Sequence, residues 1–334
     1  MNLREYTNAM LPAIENKLQH FVDRLDEPRV RAFRDMLTYH MGWTGEAAGP
    51  EAQGKRIRPL LTLLTTAACG KPWEPTLAAA AAIELIHNFS LVHDDIQDDS
   101  DLRRGRPTVW KKWEMPQAIN VGDMLFILAQ AAIVEIGQDH SADTALQASK
   151  IIQNACIALS SGQYLDISYE TRNDLGIEDY WPMVSGKTAA LLAACTQVGA
   201  LLGGADERDQ EIWHNFGHYL GLAFQVQDDY LGIWGDSALT GKSNESDLVA
   251  GKKSLPVLFG LGKGGAFAKR WAEGSVKADE VGPLAEQLTQ EGARLYTQQT
   301  ADQMTDLALQ NLRLAAPKGE AVFELTQLLL RRQA

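Results

Sequence analysis

The sequence predicts an all-α protein built as one domain over residues 1–334, and three observations support this fold class. Apolar residues recur at spacings of three and four along most of the chain, as they do on the buried face of a helix. Ala, Leu, Gln and Glu, which favour helices, are plentiful in the same segments. Alternating runs of β-branched residues between tight turns are nearly absent, so we expect no strong strand. Helices that cross around a shared core are the simplest architecture for such a chain.

The first predicted helix covers residues 3–25, where Leu11, Ile14 and Leu18 lie on one face. The same pattern predicts further helices over residues 58–69, 75–99, 118–137, 144–169, 187–203, 209–234 and 280–332. Stretches rich in glycine and polar residues interrupt the pattern at residues 42–54, 103–107, 203–206 and 235–253. Because such stretches favour turns over continued helix, we expect loops at these places.

Composition places the chain among ordinary globular proteins, with 45% hydrophobic and 22% charged residues. The formal net charge of −12 argues against a general binder of nucleic acid or of anionic membranes. Cys69, Cys156 and Cys195 are far apart and form no CxxC pair, which disfavours disulfides and zinc and favours a reducing compartment. The N-terminus carries charges where a signal peptide needs an apolar core, and no uncharged stretch approaches the roughly 18–20 apolar residues of a membrane span. We therefore expect a cytoplasmic protein without a membrane span.

A run of five aspartates lies within residues 94–101, at the end of a predicted helix. At ~100° per residue, Asp94 and Asp98 share a helix face with His87, and Asp95 lies beside them. Like charges four residues apart repel each other, so a cation is expected to compensate them. Carboxylates suit Mg²⁺, which takes only one or two of them and completes its shell with water and phosphate oxygens. The run therefore predicts a phosphorylated ligand, with a solvated acidic helix end as the alternative.

A second predicted helix ends in a similar way, in the segment FQVQDDYLGIWGD at residues 224–236. Asp228 and Asp229 form its acidic pair, and Gly217 and Gly221 upstream would let another helix approach closely. Two helices that end in aspartates could face each other across a cavity. Such a cavity could bind a polyphosphate through shared Mg²⁺ ions.

Basic residues beside glycine and proline are candidate phosphate ligands in this acidic chain. The segment GKRIRP places Lys55, Arg56 and Arg58 just before a helix, where exposed backbone N–H groups also favour anions. The remaining candidates are Arg103, Arg104, Lys187, Lys242, Lys252 and Lys253. Any one of them taken alone is more often a solvated surface charge, and only the set points to phosphate.

Five motifs in order resemble the trans-isoprenyl diphosphate synthase, or polyprenyl synthetase, family. They are GKRIRP (54–59), HNFSLVHDDIQDDSDLRRGRPT (87–108), GQYLDI (162–167), GKTAAL (186–191) and FQVQDDYLGIWGD (224–236) with TGKSNESDLVAGKKSLP (240–256). The resemblance implies an all-α fold of roughly a dozen helices around a deep central cavity, usually as a homodimer. It implies that an allylic diphosphate (dimethylallyl, geranyl or farnesyl) is condensed head-to-tail with isopentenyl diphosphate. It also implies about three Mg²⁺ ions per active site, with Mn²⁺ as an alternative.

The resemblance also implies residue roles. The expected metal ligands are Asp94, Asp98 and Asp228, with Asp95 and Asp229 close by. The expected ligands of the allylic diphosphate are Arg103, Lys187, Thr188, Gln225, Lys242 and Lys252. The expected ligands of isopentenyl diphosphate are Lys55, Arg58, His87 and Arg104. One position departs from the family, whose second acidic motif commonly ends on Asp where this chain has Gly232. Metal affinity on that side is therefore in question, although we expect turnover of Gly232→Asp to be roughly intact.

Residues just upstream of the first motif set product length in this family. An aromatic Phe89 followed by a small Ser90 resembles geranylgeranyl (C20) synthases, with farnesyl or longer-chain synthases as alternatives. If Phe89 is not the end of the chain-binding pocket, the helix with Met124 and Phe126 is expected to take that place. Two competing hypotheses are a terpene cyclase-like or weakly active family member, and a non-enzymatic acidic protein that buffers divalent ions. A cyclase needs no isopentenyl diphosphate site, and an ion buffer leaves the Lys and Arg set unexplained.

Overall fold

The computed structural model describes residues 1–235, 247–316 and 319–330, and it confirms the all-α prediction. The α-helices in chain order are α1 (Leu3–Val22), α2 (Arg31–His40), α3 (Pro50–Gln53), α4 (Ile57–Ala68), α5 (Leu77–Gln97), α6 (Val109–Asp139), α7 (Ala142–Glu170), α8 (Ile177–Val184), α9 (Ala190–Leu202), α10 (Glu207–Trp234), α11 (Leu255–Lys263), α12 (Ala266–Trp271), α13 (Val281–Gln290), α14 (Ala293–Ala315) and α15 (Glu320–Leu330). Short 3₁₀ turns cover Pro28–Val30, Glu74–Thr76 and Ala278–Glu280, and a π-helical turn covers Ser185–Ala189.

The predicted helices are present except that the one over residues 280–332 is interrupted, and the predicted loop at residues 42–54 contains the four-residue helix α3. Helices α2, α8, α11 and α12 lie in stretches that the apolar pattern left unassigned, because helices of so few turns repeat the pattern too rarely. The predicted helix over residues 280–332 is divided into α13, α14 and α15. Gly292 lies between α13 and α14. Its φ of +90° is a backbone conformation that disfavours continuation of a helix.

The predicted break at residues 103–107 is a small β-hairpin. Strand β1 (Leu102–Arg103) pairs antiparallel with β2 (Arg106–Pro107), so that Arg103 lies opposite Arg106. The two residues between them, Arg104 and Gly105, have φ angles of 53° and 73°. Positive φ at both central residues is the geometry of a type I′ turn, which matches the twist of a tight hairpin. These are the only strands in the described part of the chain.

The described chain divides into two compact units. The first comprises residues 1–152, 195–210 and 320–322, and α5 is its central helix, packed against α1, α4 and α6. Ala78–Ala82 of α5 are buried together, and these small side chains let the neighbouring helices approach closely. Helix α6 is kinked at Glu114 (φ 68°), two residues before Pro116, which cannot continue a regular helix.

The second unit comprises residues 153–194, 211–319 and 323–334. One part of its core surrounds Tyr180, Val226 and Leu255, which come from α8, α10 and α11. A second part surrounds Phe267 and Leu288, from α12 and α13. Helix α10, which carries the second acidic run, is thus packed through its apolar face against α8 and α11.

Two helices are long and apolar enough to cross a membrane by length and composition alone, residues 74–97 and Val109–Asp139. Their most apolar windows are 67% and 50% buried inside the structure, and the two helices pack on each other. Each carries acidic residues, Glu84 and Asp123 among them. The three cysteines are free thiols, as the sequence predicts.

Candidate active site

The first acidic run lies at the C-terminal end of α5. Asp94 is in its last turn, and Asp98 is the C-cap, whose N–H donates to the Asp94 carbonyl at 2.8 Å. Carboxylates at this end of a helix face the negative pole of the helix dipole, which adds to their mutual repulsion. Asp94 is half-buried and Asp98 is exposed. A cation bound at this position would relieve that repulsion.

Asp95 turns inward from the same helix end and is only 2% exposed. Its Oδ1 accepts a hydrogen bond from Arg103 Nε at 2.8 Å and forms an ion pair with Arg103 Nη2 at 2.7 Å. Burial raises the pKa of Asp95, and the hydrogen bond and charge of Arg103 oppose that shift. Because β1 begins five residues after α5 ends, the hairpin returns Arg103 to the acidic run. Asp95 thus holds the Arg103 side chain in place at the C-terminal end of α5.

A cationic group lies around His87, which precedes the acidic run on α5 in the same unit. The Arg58 guanidinium donates to His87 Nε2 at 3.2 Å, and Lys55 is exposed at the start of this region. Burial, followed by the charges of Arg58 and Arg104, lowers the pKa of His87 well below its usual value. His87 is therefore neutral at pH 7 and accepts the hydrogen bond. Arg58 and Arg104 thus lie close enough to His87 for their charges to act on it.

Gly54 explains how Arg104 joins that group. Arg104 Nη1 donates to the Ala52 carbonyl at 2.8 Å, and its guanidinium carbon would lie 2.6 Å from a Cβ added to Gly54. Gly54 also has φ +79° and ψ −178°, a conformation that is essentially restricted to glycine. The first residue of GKRIRP thus provides the backbone surface on which the Arg104 side chain lies.

Arg56, in the same motif, has a different position from its neighbours. It is 4% exposed, and its guanidinium donates to Glu15 at 2.6 Å and to Glu84 at 2.9 Å. A further hydrogen bond goes to the Met41 carbonyl at 3.2 Å. A buried guanidinium with this many partners fixes the loop before α4 and is not exposed to a ligand. Of the three basic residues in GKRIRP, two remain as phosphate candidates.

The second acidic pair lies in the last turns of α10, in the second unit. Asp229 is 5% exposed and accepts three hydrogen bonds, from Tyr180 Oη (2.8 Å), Gln225 Nε2 (2.9 Å) and the Leu255 N–H (3.0 Å). Burial, and then the negative charge of Asp247, raises the pKa of Asp229 to about 7. Asp228 is half-buried and lies on the adjoining face. Asp229 therefore anchors α10 to α8 and α11, and Asp228 remains the candidate ligand.

Lys187 is presented by the π-helical turn between α8 and α9. It pairs with Asp166 of α7, part of the motif GQYLDI. A Cβ on Gly162 would lie 2.1 Å from the backbone nitrogen of Lys187, and one on Gly186 would lie 2.5 Å from the Ala158 carbonyl oxygen. The two backbones are in contact here, so a side chain at either position would clash with the other segment. This explains why both motifs have glycine at these positions.

Four other predicted ligand residues belong to the same part of the sequence as the second acidic pair or to the motif of Lys187. Thr188 is buried and its hydroxyl donates to Gln225 Oε1 at 2.8 Å, which extends the hydrogen-bond chain that ends on Asp229. The exposed Lys252 has its Nζ 4.0 Å from Asp247 Oδ1. Lys242 lies outside the described residues. Close packing of Gly221 confirms its predicted role, since a Cβ there would lie 2.5 Å from Ala189 Cα.

The chain-length candidates lie on α5, one to two turns before Asp94. The half-buried Phe89 packs edge-on against Phe126 of α6, with ring centroids 5.0 Å apart, and against His93 at 5.5 Å. The Ser90 hydroxyl donates to the His87 carbonyl at 2.8 Å, so this small side chain satisfies its polar group within the helix. The two aromatic positions that the sequence offered as alternatives, Phe89 and Phe126, are thus in contact.

The donors at both acidic ends fit Mg²⁺. Asp94, Asp98 and Asp228 present hard oxygen ligands, which Mg²⁺ prefers. Within the described residues, no group of three or more His, Cys, Asp or Glu side chains forms a complete cluster for a metal. Mg²⁺ needs no such cluster, because one or two carboxylates suffice when phosphate oxygens and water complete the shell.

Sequence reasoning missed several residues that shape the site. Asp166 lies within the motif GQYLDI, and its charge is opposite to that of Lys187, so the sequence carried a signal for this pair. His40 lies in a small cavity beside Asp95 and Arg103, and burial together with neighbouring arginines lowers its pKa to about 3. Its Nε2 is buried and has no hydrogen-bond partner among the described residues. Neither His40 nor Tyr180 carries a local sequence signal, because only tertiary packing brings them to the site.

Comparisons with known proteins agree with this geometry. A sequence model of the polyprenyl synthetase family matches residues 48–280. The (2E,6E)-farnesyl diphosphate synthase of Mycobacterium tuberculosis is 39% identical over 289 residues, covering 84% of this chain and 78% of that relative. The geranylgeranyl diphosphate synthase of the same organism is 34% identical over 325 residues, covering 95% and 90%. The crystal structure of geranylgeranyl pyrophosphate synthetase from Pyrococcus horikoshii has a TM-score of 0.88 at 31% identity, with 99% of this chain and 98% of that one covered.

Members of this family act on isoprenoid diphosphates and use divalent metal ions, which suits the acidic and basic groups described above. The chain belongs to the polyprenyl synthetase family and is a trans-prenyltransferase.

Proposed function

We propose that the protein condenses an allylic diphosphate head-to-tail with isopentenyl diphosphate, and that its product is geranylgeranyl diphosphate. One observation supports the two-substrate reaction above all others. His87 of the cationic group and Asp94 of the acidic run are seven residues apart on α5, hence within ~20° of each other around the helix and roughly 10 Å apart along it. One helix face thus presents an anion-binding group beside a group that favours cations. That pairing fits two diphosphates bound side by side, one of them with metal.

Residue roles follow from this arrangement. Lys55, Arg58 and Arg104, with neutral His87, bind the diphosphate of isopentenyl diphosphate. The allylic diphosphate is bound through metal by Asp94, Asp98 and Asp228. Its further ligands are Arg103, Lys187, Thr188, Gln225, Lys242 and Lys252. We propose that about three Mg²⁺ ions take part in the reaction.

The chemistry requires strong stabilisation of a leaving group and little else from the protein. The allylic C–O bond breaks with its electron pair kept by pyrophosphate, and the double bond of isopentenyl diphosphate forms the new C–C bond. The cation that results loses one proton to the departing pyrophosphate, which restores a double bond. When bound, Mg²⁺ would neutralise charge that develops on the departing pyrophosphate. Arg103, oriented by Asp95, and Lys187, oriented by Asp166, add fixed positive charge at the same stage. No protein nucleophile takes part.

The C20 product is supported by Phe89 and Ser90, and by the relative named as a geranylgeranyl diphosphate synthase. The relative named as a farnesyl diphosphate synthase supports C15 as the second candidate. Mass analysis of products from isopentenyl diphosphate with dimethylallyl, geranyl or farnesyl diphosphate distinguishes the two. We expect C20 to accumulate from all three starters. An end product of C15, with farnesyl diphosphate left unused, would replace the C20 proposal, and no elongated product at all would refute the condensation.

We also propose a homodimer in the cytoplasm. Leu146, Ile157 and Tyr164 of α7 are exposed, and spacings of 11 and 7 residues place them within about 20° of one another around the helix. A second copy of the chain would cover such an apolar stripe. Light scattering of Ile157→Asp against the native chain tests this face, since a dimer held there should dissociate. The free cysteines agree with a reducing compartment.

A further inference from the structure

Gly232 occupies the third position of the second acidic motif, four residues after Asp228 on α10. Residues four apart on a helix lie on one face, roughly 5–6 Å apart at Cβ. A third carboxylate at this position would therefore lie beside Asp228. Glycine provides no side chain there, so the sequence alone leaves the second acidic site one carboxylate short.

The structure fills that place with a residue from elsewhere in the chain. A Cβ added to Gly232 would lie 2.3 Å from Asp247 Oδ2, 2.7 Å from its Cγ and 3.1 Å from its Oδ1. All three atoms of the Asp247 carboxyl group thus occupy the space that a side chain at residue 232 would enter. Asp247 is 8% exposed, so its position is set by packing.

Backbone hydrogen bonds hold this arrangement in place. The Asp247 N–H donates to the Gly232 carbonyl at 3.3 Å, and the Lys252 N–H donates to the Asp247 carbonyl at 3.0 Å. The next residue, Leu248, is fully buried and anchors the turn. Neither hydrogen bond involves the Asp247 side chain. Its carboxylate can therefore be changed without loss of the backbone contacts that bring it to α10.

We propose that Asp247 supplies the carboxylate that the second acidic motif lacks at Gly232, so that Asp228 and Asp247 act together on the metal-bound allylic diphosphate. This inference rests on the proposed function. Asp229, the remaining carboxylate of the motif, is occupied by Tyr180, Gln225 and the Leu255 N–H. In this proposal the carboxylates at 228 and 247 provide oxygen donors of the kind that Mg²⁺ prefers, and the exposed Lys252 lies near the second of them.

The occupied space also changes the expectation for Gly232→Asp. A new Cβ must displace the Asp247 carboxylate, and the new charge would repel it at short range. The single substitution is therefore expected to weaken metal-dependent binding, where the sequence alone predicted roughly intact turnover. Removing the Asp247 side chain at the same time should relieve both effects and return a carboxylate to the same place.

Calorimetry of inorganic pyrophosphate binding in the presence of Mg²⁺ tests the inference without reference to turnover. We expect Asp247→Asn and Gly232→Asp each to weaken this binding about tenfold or more, and the double variant Gly232→Asp/Asp247→Ala to bind within a few-fold of the native protein. The matched control is Asp302→Asn, an exposed carboxylate on α14, which should bind as the native protein does. Thermal melting without ligand shows whether each variant is folded.

The outcomes separate the two proposals. If Asp228→Asn loses Mg²⁺-dependent binding while Asp247→Asn keeps it, the inference is wrong and the proposed function stands. Tighter binding by Gly232→Asp alone would also overturn the inference, because it would show that the native site lacks a carboxylate. If the double variant binds no better than the Asp247→Asn variant, the carboxylates are not interchangeable and the inference fails. Failure of the native protein to form any prenyl product would instead refute the proposed function.

Discussion

Substitution of Gly54 by alanine should weaken the binding of isopentenyl diphosphate selectively. The added Cβ would lie 2.6 Å from the Arg104 guanidinium carbon, and that guanidinium is the end of a flexible side chain. The side chain can move away at little cost to the fold, but it then loses its hydrogen bond to the Ala52 carbonyl and its proposed position on the diphosphate. The substitution thus displaces one phosphate ligand without removing it from the sequence.

The size of the effect follows from one charge-assisted hydrogen bond. Such a bond contributes about 1.5–3 kcal/mol, which corresponds to about a 10- to 150-fold change in affinity. Backbone strain at Gly54, with φ +79° and ψ −178°, adds about 1–3 kcal/mol of destabilisation that has nothing to do with the ligand. A control must therefore match the strain and lack the steric contact.

Gly49 provides this control. Gly49 precedes α3, and Gly54 follows the same helix. The backbone of Gly49 has φ +138° and ψ −169°, and a Cβ added there would have no atom within 4 Å. We expect both alanine variants to melt at lower temperature than the native protein. Steady-state kinetics should show a KM for isopentenyl diphosphate raised about 10- to 150-fold in Gly54→Ala only, with the KM for the allylic substrate unchanged. Equal KM values in the two variants, or a rise confined to the allylic substrate, would show that Arg104 does not bind where we place it.

Three further substitutions test other parts of the site. Phe89→Ala should lengthen the product, because the ring that packs against α6 is lost; an unchanged chain length by mass analysis would move the end of the pocket to another residue. Tyr180→Phe should destabilise the protein by about 1–3 kcal/mol, because it removes a hydrogen-bond donor from the buried Asp229 carboxylate. Denaturant unfolding measures this change, and an unchanged unfolding midpoint would contradict the hydrogen bond. Gly122→Ala should alter product length or lower activity, because its Cβ would lie 2.2 Å from His93 Nε2, next to Phe89; native kinetics and products would show that His93 moves freely.

The sequence allowed the helices and the identity of most candidate site residues to be predicted, because both depend on short-range patterns. Apolar spacing reports helices of several turns, and motif order reports the set of charged residues. The inner or outer position of each charge depends on packing. Arg56 and Arg58 are two residues apart in one motif, yet Arg56 pairs with two carboxylates inside the first unit and Arg58 lies against His87.

The place of Gly232 shows a second reason why sequence reasoning fails. A motif read along one helix assumes that every ligand comes from that helix, so an absent carboxylate looks like a lost ligand. Space at a helix surface is filled by whichever segment reaches it, and here a backbone turn brings Asp247 to the position that a side chain at residue 232 would take. The same reasoning applies to the glycines at residues 54, 162 and 186, each of which is explained by a group packed against it. A glycine in a motif of this chain is therefore best interpreted by what fills its missing side-chain volume, and that information is present only in the fold.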